Sequence, residues 1–246
     1  KRAREAGAAA PAADSADVEM VPLARHVLSA EEQAWLTQVF KVLRQSTRAP
    51  TEEAAAEELR QLTTVLRTVS TGANMHALSP HLAHFVVTEI PRNLRCLPML
   101  TTLVRLVQAM LRSLVIDVEP YLHQFMPALL TCVVGSRLCA DAALDDHWAL
   151  RRHAAHLVRE IVRRFGRFGN VQKRTTQTLL GALYDVRKPL TTHYGALVAL
   201  QLFGPHVVHS LLMPMLPEYL QTINAILQDE ATRRTPAPAP APAPAP

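Results

Sequence analysis

Apolar residues recur every three or four positions along most of this chain, which is the spacing of an amphipathic helix. The clearest example starts at Asp145 and Asp146, either of which is a suitable N-cap, and stops at Gly166. Its apolar positions are Leu150, Ala154, Leu157, Val158, Ile161 and Phe165, with Trp148, Ala155 and Val162 on the adjoining face. Because so wide an apolar arc must contact neighbours on more than one side, we predict a long helix at the centre of the fold.

The same spacing divides most of the chain into pairs of helices. Ser29 and Glu32 form a capping box at the start of the first pair, and Thr51 is placed to cap its second helix. Ser79, followed by Pro80, is predicted to cap the next pair. The chain is therefore predicted to contain about five helical pairs. They cover residues 29–69, 79–114, 119–166, 170–203 and 205–227.

The two ends of the chain differ from this central region. Residues 1–20 are rich in Ala and carry scattered charges without an apolar face, so we predict a flexible linker. Residues 231–246 end in alternating Ala and Pro, which removes backbone donors and predicts an extended tail. The folded domain is predicted to occupy residues 21–230.

The composition favours an all-α protein. Hydrophobic residues make up 49% of the chain, whereas glycine occurs 8 times and no Asn-Gly or Asp-Gly hairpin turn is present. Helical pairs in series predict an α-solenoid. The cysteines Cys96, Cys132 and Cys139 lack the Cys-x-x-Cys spacing of a zinc site, and we predict that they are reduced thiols.

One uncharged segment raises the question of membrane insertion. Residues 189–217 contain no Lys, Arg, Asp or Glu and are long enough to span a bilayer. However, Gly204 and Pro205 would break a spanning helix midway, and His193 and His206 would lie in lipid. We therefore favour two buried helices over a membrane span.

Positive charge is concentrated at the predicted central helix. Between Arg151 and Arg174 there are eight basic residues and one acidic residue, Glu160, although the net charge of the chain is +5. Three interpretations of this charge stay open: a solvated surface, a contact for acidic protein segments, or a contact for DNA phosphates. The candidate partner-binding basic face comprises Arg152, His156, Arg159, Arg163, Arg164 and Arg167.

The sequence contains no pattern that predicts catalysis or a bound cofactor. His153, His156 and Glu160 lack the HExxH order of a zinc site. Asp146 and His147 lie where a helix N-terminus favours carboxylates, and no GxSxG nucleophile motif occurs. We predict a protein that is not an enzyme and that binds no cofactor, metal or small-molecule substrate.

The third helical pair resembles a HEAT repeat, because its first helix opens at Pro120 and is predicted to bend at Pro127. Its second helix carries a more specific string, Asp146-His147-Trp148-Ala149-Leu150-Arg151, followed by Ala154-Ala155-x-Leu157-Val158. Residues 189–196 then read Pro-Leu-Thr-Thr-His-Tyr-Gly-Ala. Together these motifs resemble the C-terminal HEAT domain of subunit 6 of the general transcription factor TFIID.

Within this motif we predict structural roles, with Trp148 as a core anchor and Gly195 as a site of close helix packing. The residues assigned to this structural motif are Asp146, His147, Trp148, Leu150, Arg151, Tyr194 and Gly195.

The resemblance implies a nuclear scaffold whose HEAT domain joins other TFIID subunits, notably subunits 8, 1 and 2, during assembly of the RNA polymerase II pre-initiation complex. It also implies self-association as a pair of copies in some members. The related coactivator SAGA shares or replaces this subunit, so membership in either complex is compatible with the motifs. A basic helical module that contacts the DNA phosphate backbone is the alternative function.

Overall fold

Local capping interactions set the starts of the first two helices. The carboxylate of Glu32 accepts a hydrogen bond from the Ser29 N–H at 2.8 Å, and the Ser29 hydroxyl accepts one from the Glu32 N–H at 3.2 Å. The hydroxyl of Thr51 accepts a hydrogen bond from the Ala54 N–H at 3.3 Å. Each contact satisfies a backbone donor that has no partner within the helix, so the predicted capping box and cap are confirmed.

The structure is a computed structural model, and it describes residues 28–45, 51–140, 145–166 and 170–234. Regular structure in these ranges is helical throughout. It includes a 3₁₀ turn over Glu119–Tyr121 and a π-helical segment over Val208–Leu212. The helices are α1 Ala30–Gln45, α2 Glu52–Thr71, α3 Met75–Arg92, α4 Leu97–Arg112, α5 Leu122–Val134, α6 His147–Phe165, α7 Val171–Tyr184, α8 Leu190–Leu202, α9 Pro205–Val207 and α10 Met213–Arg234.

The helices stack as a two-layer solenoid, which confirms the predicted fold class. Four successive pairs are formed by α1 with α2, α3 with α4, α5 with α6, and α7 with α8. The second helices of these pairs, α2, α4, α6 and α8, pack in a continuous row, and α3 packs against α5 in the other layer. The fifth unit is one continuous helical path from α9 to α10.

The core is deepest around α4 and α6. Helix α4 packs against α2, α3 and α6, and its apolar positions point to all of them. Each fully buried Leu or Val contributes roughly 1.5–3 kcal/mol relative to its exposed state. The α4 side chains with no solvent exposure are Leu100, Leu103, Val104, Leu106, Val107 and Met110. Helix α6 is therefore held in place by a neighbour whose core-facing surface is apolar except for Thr102.

Ser79 is not an N-cap, contrary to the sequence prediction. Helix α3 begins at Met75 and continues through Ser79 and Pro80. Because Pro80 has no N–H, it cannot donate to the carbonyl of His76, one turn earlier. The Ser79 hydroxyl donates to that carbonyl at 2.7 Å instead, and its oxygen lies 3.2 Å from the Tyr121 hydroxyl. The Ser79 hydroxyl thus satisfies the carbonyl that Pro80 leaves without its usual helical donor, and the helix continues through the proline.

The uncharged segment 189–217 forms helices that a glycine interrupts. Helix α8 ends at Leu202, and Gly204 adopts φ +105°, a left-handed conformation that residues with a Cβ rarely adopt. A new helix starts at Pro205. In the ranges that the structure describes, no helix is both long and apolar enough to cross a membrane.

The last helix extends past one of the predicted domain boundaries. Helix α10 runs to Arg234, so residues 231–234, which we assigned to the extended tail, are helical. The rest of the predicted tail and the predicted linker at 1–20 lie outside the described residues.

Candidate partner-binding surface

Helix α6 presents a polar stripe to solvent. Asp146 caps the helix, accepting a hydrogen bond from the Ala149 N–H at 3.1 Å, and the last helical residue before Gly166 is Phe165. This start and stop match the sequence prediction, and they fix which positions face outward. The exposed basic positions along α6 are Arg152, His156, Arg159, Arg163 and Arg164.

Part of this charge is neutralised within the helix. Glu160 accepts hydrogen bonds from Arg163 Nη2 at 2.8 Å and from Arg164 Nε at 2.6 Å. The hydrogen bond from Arg163, together with that from Arg164, holds the pKa of Glu160 below its usual range. Arg164 also donates from Nη1 to the carbonyl of Leu111 at 2.6 Å, so it is turned towards the end of α4. Arg167, the sixth predicted residue of the face, lies outside the described residues.

Helix α4 adds two arginines to the basic face of α6, and neither was predicted from the sequence. Arg105 and Arg112 are exposed and seven residues apart, and they lie close enough to act electrostatically on the half-buried His153 of α6. Burial lowers the pKa of His153, and the charges of Arg105, His156 and Arg112 lower it further. The sequence signal for them is the seven-residue spacing of Arg105 and Arg112, which places both arginines on the polar side of α4. We define the α4–α6 basic surface as Arg105, Arg112, Arg152, His156, Arg159 and Arg163.

Arg151 is buried, although it belongs to the same basic run of sequence. It is 1% exposed and donates from Nη1 to the carbonyl of Val133 and from Nη2 to that of Gly135, both at 2.7 Å. These carbonyls belong to the C-terminal end of α5, where a cation is favoured. Burial lowers the pKa of Arg151 to about 10, so it stays protonated at neutral pH. Arg151 therefore ties α6 to α5 and contributes no surface charge.

Trp148 is half-buried and bridges helices at the edge of the core. Its ring lies 4.7 Å from the ring of Tyr194 on α8 in an edge-to-face arrangement and 4.2 Å from the ring of His147. Arg152 Nη1 donates to the Tyr194 hydroxyl at 3.2 Å. Trp148 therefore lies at the edge of the core and not inside it as predicted, whereas the neighbouring His147, Leu150 and Arg151 are buried.

Gly195 permits the close approach of α8 to α5. A Cβ at this position would collide with the carbonyl oxygen of Val133, which Arg151 also contacts. The Thr192 hydroxyl donates to the neighbouring carbonyl of Val134 at 2.9 Å. Helices α6 and α8 thus both contact the C-terminal end of α5, and the predicted packing role of Gly195 is confirmed.

The chain matches the family described as the TAF6 C-terminal HEAT repeat domain over residues 24–217. This match covers most of the chain, including all four helical pairs.

The chain belongs to this family.

Sequence similarity to individual proteins supports the assignment to the TAF6 C-terminal HEAT repeat domain family. The chain is 35% identical over 213 residues to the SAGA complex/transcription factor TFIID complex subunit Taf6 of Schizosaccharomyces pombe, covering 86% of this chain and 45% of that protein. It is 34% identical over 207 residues to transcription initiation factor TFIID subunit 6 of Arabidopsis thaliana, covering 84% of this chain and 36% of that protein. The chain therefore spans less than half the length of these relatives.

A solved structure supports the fold. The TAF6 C-terminal domain from Antonospora locustae superposes with a TM-score of 0.67 at 22% sequence identity, covering 85% of this chain and 98% of that chain. In this TAF6 C-terminal HEAT repeat domain, the motif residues Arg151 and Gly195 hold α5, α6 and α8 together. The α4–α6 basic surface remains exposed beside them, and it is the candidate site for a partner.

Proposed function

We propose that this chain is a non-enzymatic scaffold domain of a nuclear transcription initiation complex of the TFIID type. The observation that carries the proposal is the family match over residues 24–217. In the proposed role, the solenoid binds other subunits, with subunits 8, 1 and 2 as the candidates, during assembly of the RNA polymerase II pre-initiation complex. The S. pombe relative is named for both SAGA and TFIID, so SAGA is a second complex in which we propose that the chain acts.

The α4–α6 basic surface is the proposed contact for an acidic segment of such a partner. Its six members come from two neighbouring second helices, and second helices of HEAT-type pairs line one extended surface. Electrostatic complementarity of this kind favours encounter with an acidic partner and disfavours basic ones. Arg163 is already paired with Glu160, so part of the charge of this surface is neutralised internally.

The test is copurification of the full 246-residue chain with recombinant TFIID subunits 8, 1 and 2 at physiological salt after nuclease treatment. We expect at least one subunit to be retained. Replacing Arg152 and Arg159 by Glu should weaken its binding at least about tenfold, since two charge-assisted contacts become repulsive. Retention of no subunit by the folded chain would contradict the scaffold proposal.

A matched control separates this surface from general charge effects. Arg60 and Arg67 are exposed on α2, and replacing both by Glu makes the same change in net charge on another part of the solenoid. Equal loss of binding in the control pair would contradict the assignment to the α4–α6 basic surface. Binding of a DNA duplex that falls steeply with rising salt, in the absence of subunit binding, would favour the DNA alternative.

A further inference from the structure

A small cavity lies on a different part of the molecule, where the chain leaving α5 meets the starts of α6 and α8. Its volume is about 410 Å³. The polar side chains that line it come from the α3–α4 connection, the segment after α5, and the first turns of α6 and α8. These residues are Arg95, Ser136, Arg137, His147, Arg151 and Thr191.

The charges around this cavity have one sign. Three of the lining residues are arginines, and the described lining contains no Asp or Glu. Arg95 and Arg137 are exposed at the rim, and in the part of the chain that the structure describes neither forms an ion pair. Asp145 and Asp146 lie near His147, whose pKa is lowered by burial and only partly raised again by these two carboxylates, but neither Asp lines the cavity. Three arginines therefore line the cavity, and none of the described residues adds a carboxylate to its lining.

The floor of the cavity contains hydrogen-bonding capacity that is not used. Arg151 uses three of its N–H groups, on the carbonyls of Val133 and Gly135 and on His147 Nδ1 at 3.4 Å, and a guanidinium has five. The Thr191 hydroxyl oxygen is buried and has no hydrogen-bond partner; among the described residues it is the one buried side-chain polar atom in this state. A buried hydroxyl without a partner is costly, so a phosphate oxygen that reached the Thr191 hydroxyl would be stabilised by it.

We propose that this cavity is a binding site for a phosphate group. A phosphate monoester carries about −1.5 to −2 charges and three strong acceptor oxygens at neutral pH, which matches several guanidinium groups and two hydroxyls better than a single carboxylate does. The cavity is too small for a nucleic-acid duplex or a helix. Free phosphate and the phosphate of a phosphorylated Ser or Thr side chain share this chemistry. The site is separate from the α4–α6 basic surface, and its test needs no partner subunit.

The experiment is titration of the full chain with two probes, inorganic phosphate and a short phosphoserine peptide, in chloride buffer at constant ionic strength. Calorimetry gives the affinity, and the thermal midpoint gives the stabilisation that a native-state ligand must produce. We expect saturable binding of both probes and no binding of the unphosphorylated peptide. Binding of inorganic phosphate alone would identify the free ion as the ligand. Absence of binding for both probes would overturn the proposal.

Variants locate the binding to this cavity. Replacing Arg95 and Arg137 together by Gln removes two exposed rim charges, and we expect phosphate affinity to fall at least about tenfold while the chain stays folded. Thr191→Val removes the unpaired hydroxyl with little change of shape, and affinity should fall about threefold or more without loss of stability. The control replaces Arg60 and Arg67 on α2 by Gln. Unchanged affinity in the Arg95 and Arg137 double variant, or equal loss in the control, would overturn the site.

Discussion

Arg151 and Arg152 are adjacent in sequence and have opposite environments. Arg151 is buried and joins α6 to the end of α5, whereas Arg152 is exposed and reaches the Tyr194 hydroxyl on α8. The buried guanidinium satisfies carbonyls that have no other donor at the end of a helix. The exposed one exchanges its hydrogen bonds with water at little cost.

This difference predicts different effects on stability. Arg151→Ala should lower the free energy of unfolding by about 3 kcal/mol or more, because it leaves a cavity and two unsatisfied carbonyls. Arg152→Ala should change it by no more than about 0.5 kcal/mol. Urea unfolding followed by circular dichroism measures both values. Equal values for the two variants would contradict the role assigned to Arg151.

His147 makes stability depend on pH. Burial lowers its pKa from the ordinary value of 6.5, and the charge of Arg151, which donates to its Nδ1, lowers it further. Because the unfolded chain binds the proton more readily, the stabilising contribution is present above pH 6.5 and is lost as the pH falls below it. We expect the free energy of unfolding to decrease between neutral pH and about pH 5.

Substitutions identify which histidines cause this pH dependence of stability. His147→Gln should flatten the decrease, and adding His153→Gln should flatten it further, since burial also lowers the pKa of His153. His156→Gln changes an exposed histidine of the same helix and serves as the control. A parallel decrease in the wild type and in both buried-histidine variants would rule out these residues as the cause.

At the scale of elements, two helical glycines have different neighbours. Gly195 of α8 faces the Val133 carbonyl at the end of α5, whereas Gly181 of α7 has no atom within 4 Å of where a Cβ would lie. A glycine within a helix lowers stability, because the unfolded chain has more backbone freedom to lose. At Gly195 the close packing of α8 on α5 offsets this loss, whereas at Gly181 no contact does.

Alanine substitution should therefore have opposite effects at the two sites. Gly195→Ala should lower the free energy of unfolding by about 1–3 kcal/mol, because α8 must move away from α5. Gly181→Ala should raise it by about 0.5–1 kcal/mol, because alanine restricts the unfolded chain. Thermal and urea unfolding measure both changes. Destabilisation of the same size at Gly181 would show that general helix effects, and not the α5 contact, decide the outcome.

Helix starts show how far local sequence determines an element. Ser29, Thr51 and Asp146 cap their helices as predicted, because each cap involves residues within three positions. Ser79 followed by Pro80 has the same local pattern, yet it lies inside α3. Its hydroxyl meets Tyr121, 42 positions away, and no local signal contains that contact.

At the scale of the whole molecule, burial is unequal along the solenoid. Helix α4 contributes ten buried residues, and it packs between neighbouring second helices. Residues 213–228 of α10 include no fully buried side chain. This helix is anchored in part by Tyr219, whose hydroxyl lies 3.0 Å from His193 Nδ1 and whose ring stacks on the His193 ring at 5.8 Å.

This gradient predicts the order of local opening. Local unfolding follows buried contact, so amide hydrogens of α10 should exchange at least about a hundredfold faster than those of α4. Hydrogen exchange followed by mass spectrometry measures the two rates in one experiment. Tyr219→Phe should speed exchange in α10 while leaving α4 unchanged. Equal protection of α4 and α10 would contradict a solenoid with independent local stabilities.

The surface that we propose for partner binding also belongs to this scale. The α6 arginines could be predicted because they follow one another at helical spacing. Arg105 and Arg112 were not predicted, because they lie 47 and 40 positions before Arg152 and join the surface through the packing of α4 on α6. The run of basic residues from Arg151 to Arg174 did not show that Arg151 is buried, since periodicity does not distinguish a solvated arginine from one that caps a neighbouring helix.

The amino-acid sequence by itself determined the helical class, the paired arrangement, most helix starts and the family motif. These properties depend on spacing and capping within a few residues, where chain connectivity keeps the interacting groups close. The tertiary structure decided that Arg151 is buried, that Ser79 supports a helix interior, and that a cavity forms beside Thr191. Each of these depends on groups far apart in sequence, such as Thr192 and Val134, 58 positions apart, which only the packing of helices brings together.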